Sequence, residues 1–284
     1  MSNHMQMFSE NTQPIGHTGR AAGHFGEWLQ GRLGPDGPVV VITMTCDVLY
    51  AQATYTPAAD LRLHHSGVAA VTQDQLKALL AAVGKPLRGD FSLSGNVVPG
   101  VGAGSSTASL IALARATGAD EALLPAACLR VEGATDPLML SQPDTVLWSS
   151  RRAEICGEFK APPRCEIVGG YLGDPIRTDP ADSDFADISD LVPLWADAAN
   201  RFDLAKLAAL ASEAADRTTR LRGPTDDPSA ALAGELGALG YARAHTGSAR
   251  AFIFAPGTVP EAAETVLTRA GLSGAFRFST GLDC

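Results

Sequence analysis

The segment Pro99-Gly100-Val101-Gly102-Ala103-Gly104-Ser105-Ser106-Thr107 carries the residue types that hold a phosphate. Glycines at alternate positions let a backbone approach an anion closely, and an Ala-rich helical pattern that opens at Ser105 would turn its free N–H groups toward it. Ser105 or Ser106 could add a hydroxyl on the phosphate or on a Mg²⁺ ion. The segment contains no G-x-x-x-x-G-K-[ST], and its glycines crowd against two serines instead of following G-x-G-x-x-G, so neither familiar nucleotide fingerprint is matched. The competing reading is a glycine turn in which Ser105 or Ser106 caps a helix.

Such a loop needs a scaffold. At 284 residues, 45% of them hydrophobic, the chain can bury a substantial core. The formal charge of −9 argues against a nucleic-acid surface, which takes its affinity from clustered Lys and Arg. Nowhere do 18 apolar residues run together, and Met1 to Arg20 is polar without an apolar core after a basic stretch. The expectation is a cytoplasmic protein that uses neither membrane nor nucleic acid. Five scattered cysteines, with no C-x-x-C pair, read as reduced, structural thiols.

Along the chain, residues 1–20 lack periodicity and read as a flexible N-terminal arm. Strands are expected at Val39–Met44, Leu49–Thr56, Leu61–His64 and Phe91–Ser94, and helices at Thr72–Val83, Ser105–Thr117 and Pro125–Val131. The glycine loop thus falls between a strand and a helix. After the break at Ala161-Pro162-Pro163 come a strand at Cys165–Tyr171, a Pro/Asp-rich loop, and helices at Leu204–Arg222 and Ala230–Leu239. A strand at Ala249–Phe254, a helix at Pro260–Ala270 and a strand at Ala275–Phe278 complete an α+β pattern. The expected division is residues 21–160 and 161–284.

With its glycine-serine loop, the sequence resembles the GHMP kinases, whose central motif runs approximately P-x-x-x-G-L-G-S-S. Gly23-His24-Phe25-Gly26-Glu27-Trp28-Leu29-Gln30-Gly31 is similar to the P-G-T-C-G-E-L-V-Q-G signature of the L-threonine kinase branch, which serves propanediol utilisation and cobalamin synthesis. Glu132-Gly133-Ala134-Thr135-Asp136-Pro137 is similar to that branch's E-P-T-D, and His245-Thr246-Gly247-Ser248 stands where the family has its third, glycine-containing motif. Departures are Ala103 for the usual Leu or Met, a loop shorter by one residue, and His24-Phe25 for Thr-Cys.

The resemblance implies a two-domain α+β fold: a ribosomal-S5-domain-2-like N-terminal ATP-binding part and a ferredoxin-like C-terminal part. It implies an ATP- and Mg²⁺-dependent phosphotransferase acting on a small alcohol, with L-threonine as the specific acceptor. Homoserine, an amino alcohol or a sugar is the alternative acceptor, and a non-catalytic nucleotide-binding protein is the alternative class. Pro99, Gly100, Gly102, Gly104, Ser105, Ser106, Thr107, Gly247 and Ser248 would hold the nucleotide phosphates. Ser106 and Glu132 would hold Mg²⁺, and Asp136 would accept the hydroxyl proton. Glu27 could pair with a substrate ammonium, with His24, Gln30 and Asp47 as further substrate contacts. Ordinary structural roles compete: a helix-end charge for Glu132, a turn cap for Asp136, a strand-end turn for Asp47. Arg151-Arg152 and His64-His65 read as surface residues.

Overall fold

A computed structural model describes residues 17–67, 70–176 and 178–282. Its elements in chain order are β1 (His17–Arg32), β2 (Val39–Thr56), β3 (Leu61–Ser66), α1 (Gln73–Ala82), β4 (Gly89–Gly95), α2 (Ser105–Ala116), α3 (Leu124–Glu132), β5 (Val146–Ser149), β6 (Glu154–Glu158), β7 (Cys165–Leu172), α4 (Leu191–Asn200), α5 (Leu204–Arg222), α6 (Ser229–Leu236), β8 (Gly240–Arg243), β9 (Ala249–Phe254), α7 (Ala263–Arg269) and β10 (Leu272–Thr280).

The strands join in the order β10-β7-β9-β8-β1-β2-β4-β3, and the hairpin β5–β6 pairs with β2. β3 and β4 are parallel, joined through α1; the other pairs are antiparallel. β1 and β2 lie at the middle, which explains a run such as Val39–Met44 with no polar alternation: strands covered on both faces need apolar residues at every position. Val40, Ile42 and Met44 join one core with Trp195 of α4 and Leu207 and Ala211 of α5. Val41, between them, joins a second core with Leu76 and Leu79 of α1, Ile111 of α2 and Cys128 of α3. A third core packs α6 and α7 on β7 and β9.

The expected arm, residues 1–20, lies outside the described residues as far as 16; residues 17–20 are the start of β1. The expected boundary near 160 falls in the segment between β6 and β7, while the sheet and the Trp195 core draw on residues from both sides of it. Among the described residues no helix is long and apolar enough to cross a membrane. Cys46, Cys128 and Cys165 are buried free thiols and Cys156 is an exposed one; Cys284 lies outside the described residues.

Candidate functional site

β4 ends at Gly95 and α2 starts at Ser105, so the glycine loop bridges strand and helix. Gly100, Gly102 and Gly104 have φ of 80°, 75° and 70°, a left-handed conformation that side chains resist. Space demands glycine as well: a Cβ on Gly102 would stand 2.2 Å from Ala244 Cβ, and one on Gly104 would stand 2.6 Å from His24 Cδ2. Three backbone bonds anchor the loop: His24 N–H to Ala103 O at 3.2 Å, Ala249 N–H to Val101 O at 2.9 Å, and Ile176 N–H to Gly100 O at 2.7 Å.

The helix-cap alternative fails on geometry. The N-cap of α2 is Gly104, with no side-chain cap. Ser105 instead donates its hydroxyl to Val97 O at 2.9 Å, fixing the loop from beneath. The first N–H groups of α2 remain without helical acceptors and carry the positive end of the helix dipole.

These groups open into a cleft of about 330 Å³. Pro99, Gly100, Gly102, Gly104, Ser105, Ser106 and Thr107 line it, together with Glu132, Asp136, His24 and Glu27. Glu132 is the last residue of α3, where Gly133 ends the helix in a left-handed cap. Thr107 Oγ1 donates to Glu132 Oε2 at 2.9 Å. Burial pushes the Glu132 carboxyl up to about 7 against the pull of the Ser106 and Thr107 hydroxyls. This hard-oxygen set, held without a cationic side chain, fits a Mg²⁺ ion.

Beside it, His24 bridges two acids: Nε2 lies 3.4 Å from Asp136 Oδ2 and Nδ1 lies 3.4 Å from Glu27 Oε1. Burial alone would lower the His24 pKa, but Glu27, Asp136 and the Gly26 carbonyl outweigh it and raise it to about 9. Burial pushes Glu27 up to about 8. Burial would raise Asp136 too, yet His24, by charge and hydrogen bond, and the Arg151 charge pull it below the ordinary aspartate range. The three side chains lie close enough to share one ion, each offering a ligand atom within 4.8 Å of the others. Glu27 Oε2 is buried without a hydrogen-bond partner, although the residue lines the cleft.

The segment holding His24 and Glu27 reads as a glycine-rich turn, but it is the bulged middle of β1. Its pairing to β2 shifts at Ala22/Gly23, His24/Glu27 and Glu27/Leu29. Phe25, Trp28 and Leu29 are fully buried, which places the segment in the centre of the sheet. The bulges let His24 and Glu27 both reach the cleft, despite strand alternation.

Other expected contacts lie elsewhere. Gln30 Nε2 donates to Arg243 O at 2.9 Å, tying β1 to β8, and Gln30 does not line the cleft. Asp47 lines a separate cavity with Thr45, Asp144 and Thr280. The turn at 245–248 packs against the glycine loop: a Cβ on Gly247 would stand 2.2 Å from Gly102 N. Its cleft-lining residues are His245 and Thr246, while Ser248 Oγ is buried and unpartnered.

Arg151 enters the cleft from the β5–β6 turn. Nothing in its local pattern marks it, since it stands in a turn beside the exposed Arg152.

No family model and no curated protein sequence matches the chain. Solved structures do. Mevalonate kinase from L. major, in complex with R-mevalonate, aligns at a TM-score of 0.65 and 15% identity over 97% of this chain and 98% of that one. Homoserine kinase from Cytophaga hutchinsonii aligns at 0.60 and 12% identity over 97% of both chains. Mevalonate pyrophosphate decarboxylase from Streptococcus pyogenes aligns at 0.61 and 12% identity over 96% of this chain and 98% of that one. The α+β fold is therefore that of the GHMP kinases, as the resemblance implied, and it is a fold that also serves a decarboxylase.

Proposed function

We propose that this protein is an ATP-dependent phosphotransferase that phosphorylates the hydroxyl of a small amino acid, with L-threonine as acceptor, O-phospho-L-threonine as product and cobalamin synthesis as its use. The observation that supports the phosphotransferase reading is one cleft holding an anion-binding loop at a helix N-terminus, a buried Glu132 flanked by hydroxyls, and an ionised Asp136; L-threonine and cobalamin synthesis rest on the resemblance of Gly23–Gly31 to the L-threonine kinase branch.

The loop amides and the start of α2 receive the triphosphate, with Gly247 bracing the loop from behind. Glu132 and Ser106 would hold Mg²⁺, which when bound neutralises charge on the phosphates. Asp136 stands where a hydroxyl can be accepted. As the acceptor oxygen bonds to the γ-phosphorus, the bond from phosphorus to the bridging oxygen of ADP breaks, and the hydroxyl proton passes to Asp136. His24 keeps that carboxylate ionised before transfer. The unpartnered Oε2 of Glu27, whose carboxyl burial pushes up to about 8, would accept a hydrogen bond from a substrate ammonium, whose charge would draw that carboxyl back toward its ionised form.

Homoserine, another amino alcohol or a sugar is the second reading of the acceptor, supported by the fold shared with homoserine kinase. ADP release measured against L-threonine, L-homoserine, amino alcohols and sugars separates the two. Activity confined to acceptors that are not amino acids would overturn the first. Tight Mg-ATP binding with no turnover on any alcohol would make the protein a binding homologue. Ser106→Ala and Glu132→Ala should each lower turnover at least about tenfold, the scale of one lost transition-state contact.

A further inference from the structure

We propose that Arg151 binds a carboxylate of the acceptor, so that the acceptor is a hydroxy acid or hydroxy amino acid rather than a neutral alcohol or sugar; this rests on the kinase reading above. Among the described residues lining the cleft, Arg151 is the single Lys or Arg. It belongs to the acceptor end. Arg151 and Asp136 each follow one residue of a hydrogen-bonded pair, Ser150 and Thr135, and both line the cleft.

The mounting is rigid. Thr135 N–H donates to Ser150 O at 2.8 Å, and Trp148 Nε1 donates to Thr135 O at 2.7 Å. These two bonds tie the residue before Asp136 to the β5–β6 hairpin that carries Arg151 in its turn, so the two backbone segments are held together. The guanidinium feels the charges of Asp182, Asp136 and Asp179, but no carboxylate among the described residues pairs with it in two-point fashion. One Nη donates to Asp179 O at 3.2 Å, the other stands 3.5 Å from Ser150 Oγ, and Nε is buried without a partner. A guanidinium fork with donors to spare matches a carboxylate in two-point fashion.

Neighbouring cations do not compete for that role. His245 is held neutral: burial, then Arg151 and Arg222, lower its pKa to about 3. Arg222 pairs with Asp182 and covers the Phe185 ring at 4.6 Å. With Asp136, Glu27 and Arg151 lining one cleft, the acceptor end offers carboxyl groups to an ammonium and hydroxyl and a cation to a carboxylate.

The test compares L-threonine with L-threoninamide and 1-amino-2-propanol, for the wild type, Arg151→Met, Arg151→Lys and the neighbouring control Arg152→Gln. Arg151→Met should raise the KM for L-threonine about 10²-fold, leave the KM for ATP within about twofold, and cost nothing further on the amide. Arg151→Lys, which keeps the charge but loses the fork, should fall between, and it decides the matter should Arg151→Met not fold. A rise in the KM for ATP would overturn the proposal by assigning Arg151 to phosphate, as would equal losses on acid and amide. Calorimetric titration of L-threonine and L-threoninamide into protein saturated with a non-hydrolysable ATP analogue separates this inference from the kinase reading. Carboxylate-dependent binding without turnover on any alcohol would sink the kinase reading and keep Arg151's role. Equal affinity for acid and amide, or no binding of either, would sink the proposal.

Discussion

The two ends of the cleft are built in opposite ways. The end proposed to hold phosphate is nearly all backbone from one stretch of chain, Gly100 to Thr107, closed by Gly247 from behind. The acceptor end is all side chains, with His24 and Glu27 from β1, Asp136 from the segment after α3, Arg151 from the β5–β6 turn and His245 from the β8–β9 turn. Amide donors bind any phosphate and need few side chains, so a contiguous loop suffices. Recognition of one small acceptor needs charges of both signs at set distances, which a sheet supplies by bringing distant segments together. The phosphate end should therefore break through backbone shape and the acceptor end through single functional groups.

Asp136→Asn should give the largest effect, because it would remove the proposed proton acceptor while keeping the shape. The expected loss in kcat is about 10²–10⁴-fold, the range for a lost general base. Mg-ATP affinity, measured by calorimetry, should stay within about threefold of wild type by the same division of labour. A variant that instead loses nucleotide affinity would erase the distinction between the two ends.

At the phosphate end, Gly102→Ala changes no functional group. It places a Cβ 2.2 Å from Ala244 Cβ at a φ of 75°, so the loop or the 244–248 segment must move. Left-handed strain costs about 1–2 kcal/mol before the clash is counted, which predicts Mg-ATP binding weaker by about 10²-fold. Affinity for the acceptor alone should hold. Wild-type ATP binding in this variant would show that the loop geometry is not what grips the nucleotide.

The same contrast explains what could be read from sequence. A contiguous loop leaves its signature in consecutive residues, so Gly100 to Thr107 was legible, as were α5 at Leu204–Arg222 and β9 at Ala249–Phe254, whose patterns follow helix and strand periods. Even there Ser105 differs from expectation, since its hydroxyl is spent on Val97 O. β1 was hidden because four glycines between Gly19 and Gly31 look like turn chemistry, while burial on both faces erases strand alternation. α4 was hidden because Leu191–Asn200 carries Pro193 and emerges from a Pro/Asp-rich stretch. Arg151 acquires its place only through the Thr135–Ser150 bond, a long-range pairing that no local pattern encodes.

The smallest effect, and the one most specific to the acceptor end, is a pH dependence of stability. His24 is fully buried between Glu27 and Asp136, which raise its pKa from 6.5 to about 9. The folded protein then holds a proton that the unfolded chain has released between those values, so the stabilisation is complete below about 6.5 and fades as pH rises through 9. Glu27, pushed up from 4.5 to about 8 by burial, shifts the balance in the same direction at lower pH. The buried thiols of Cys46, Cys128 and Cys165 are also pushed up and add a slope of their own near pH 9, but they do so with or without His24. His24 and Glu27 shift each other, so the comparison is with the double variant His24→Gln/Glu27→Gln, which removes the pair together. Between pH 7 and 9.5 the unfolding free energy of the wild type should fall by at least about 2 kcal/mol more than that of the double variant, as read from urea unfolding at each pH. Parallel curves would mean that the His24–Glu27 pair holds no extra proton in the folded state, and Asp136 would then need another source for its lowered pKa, with Arg151 a further cation that acts on it.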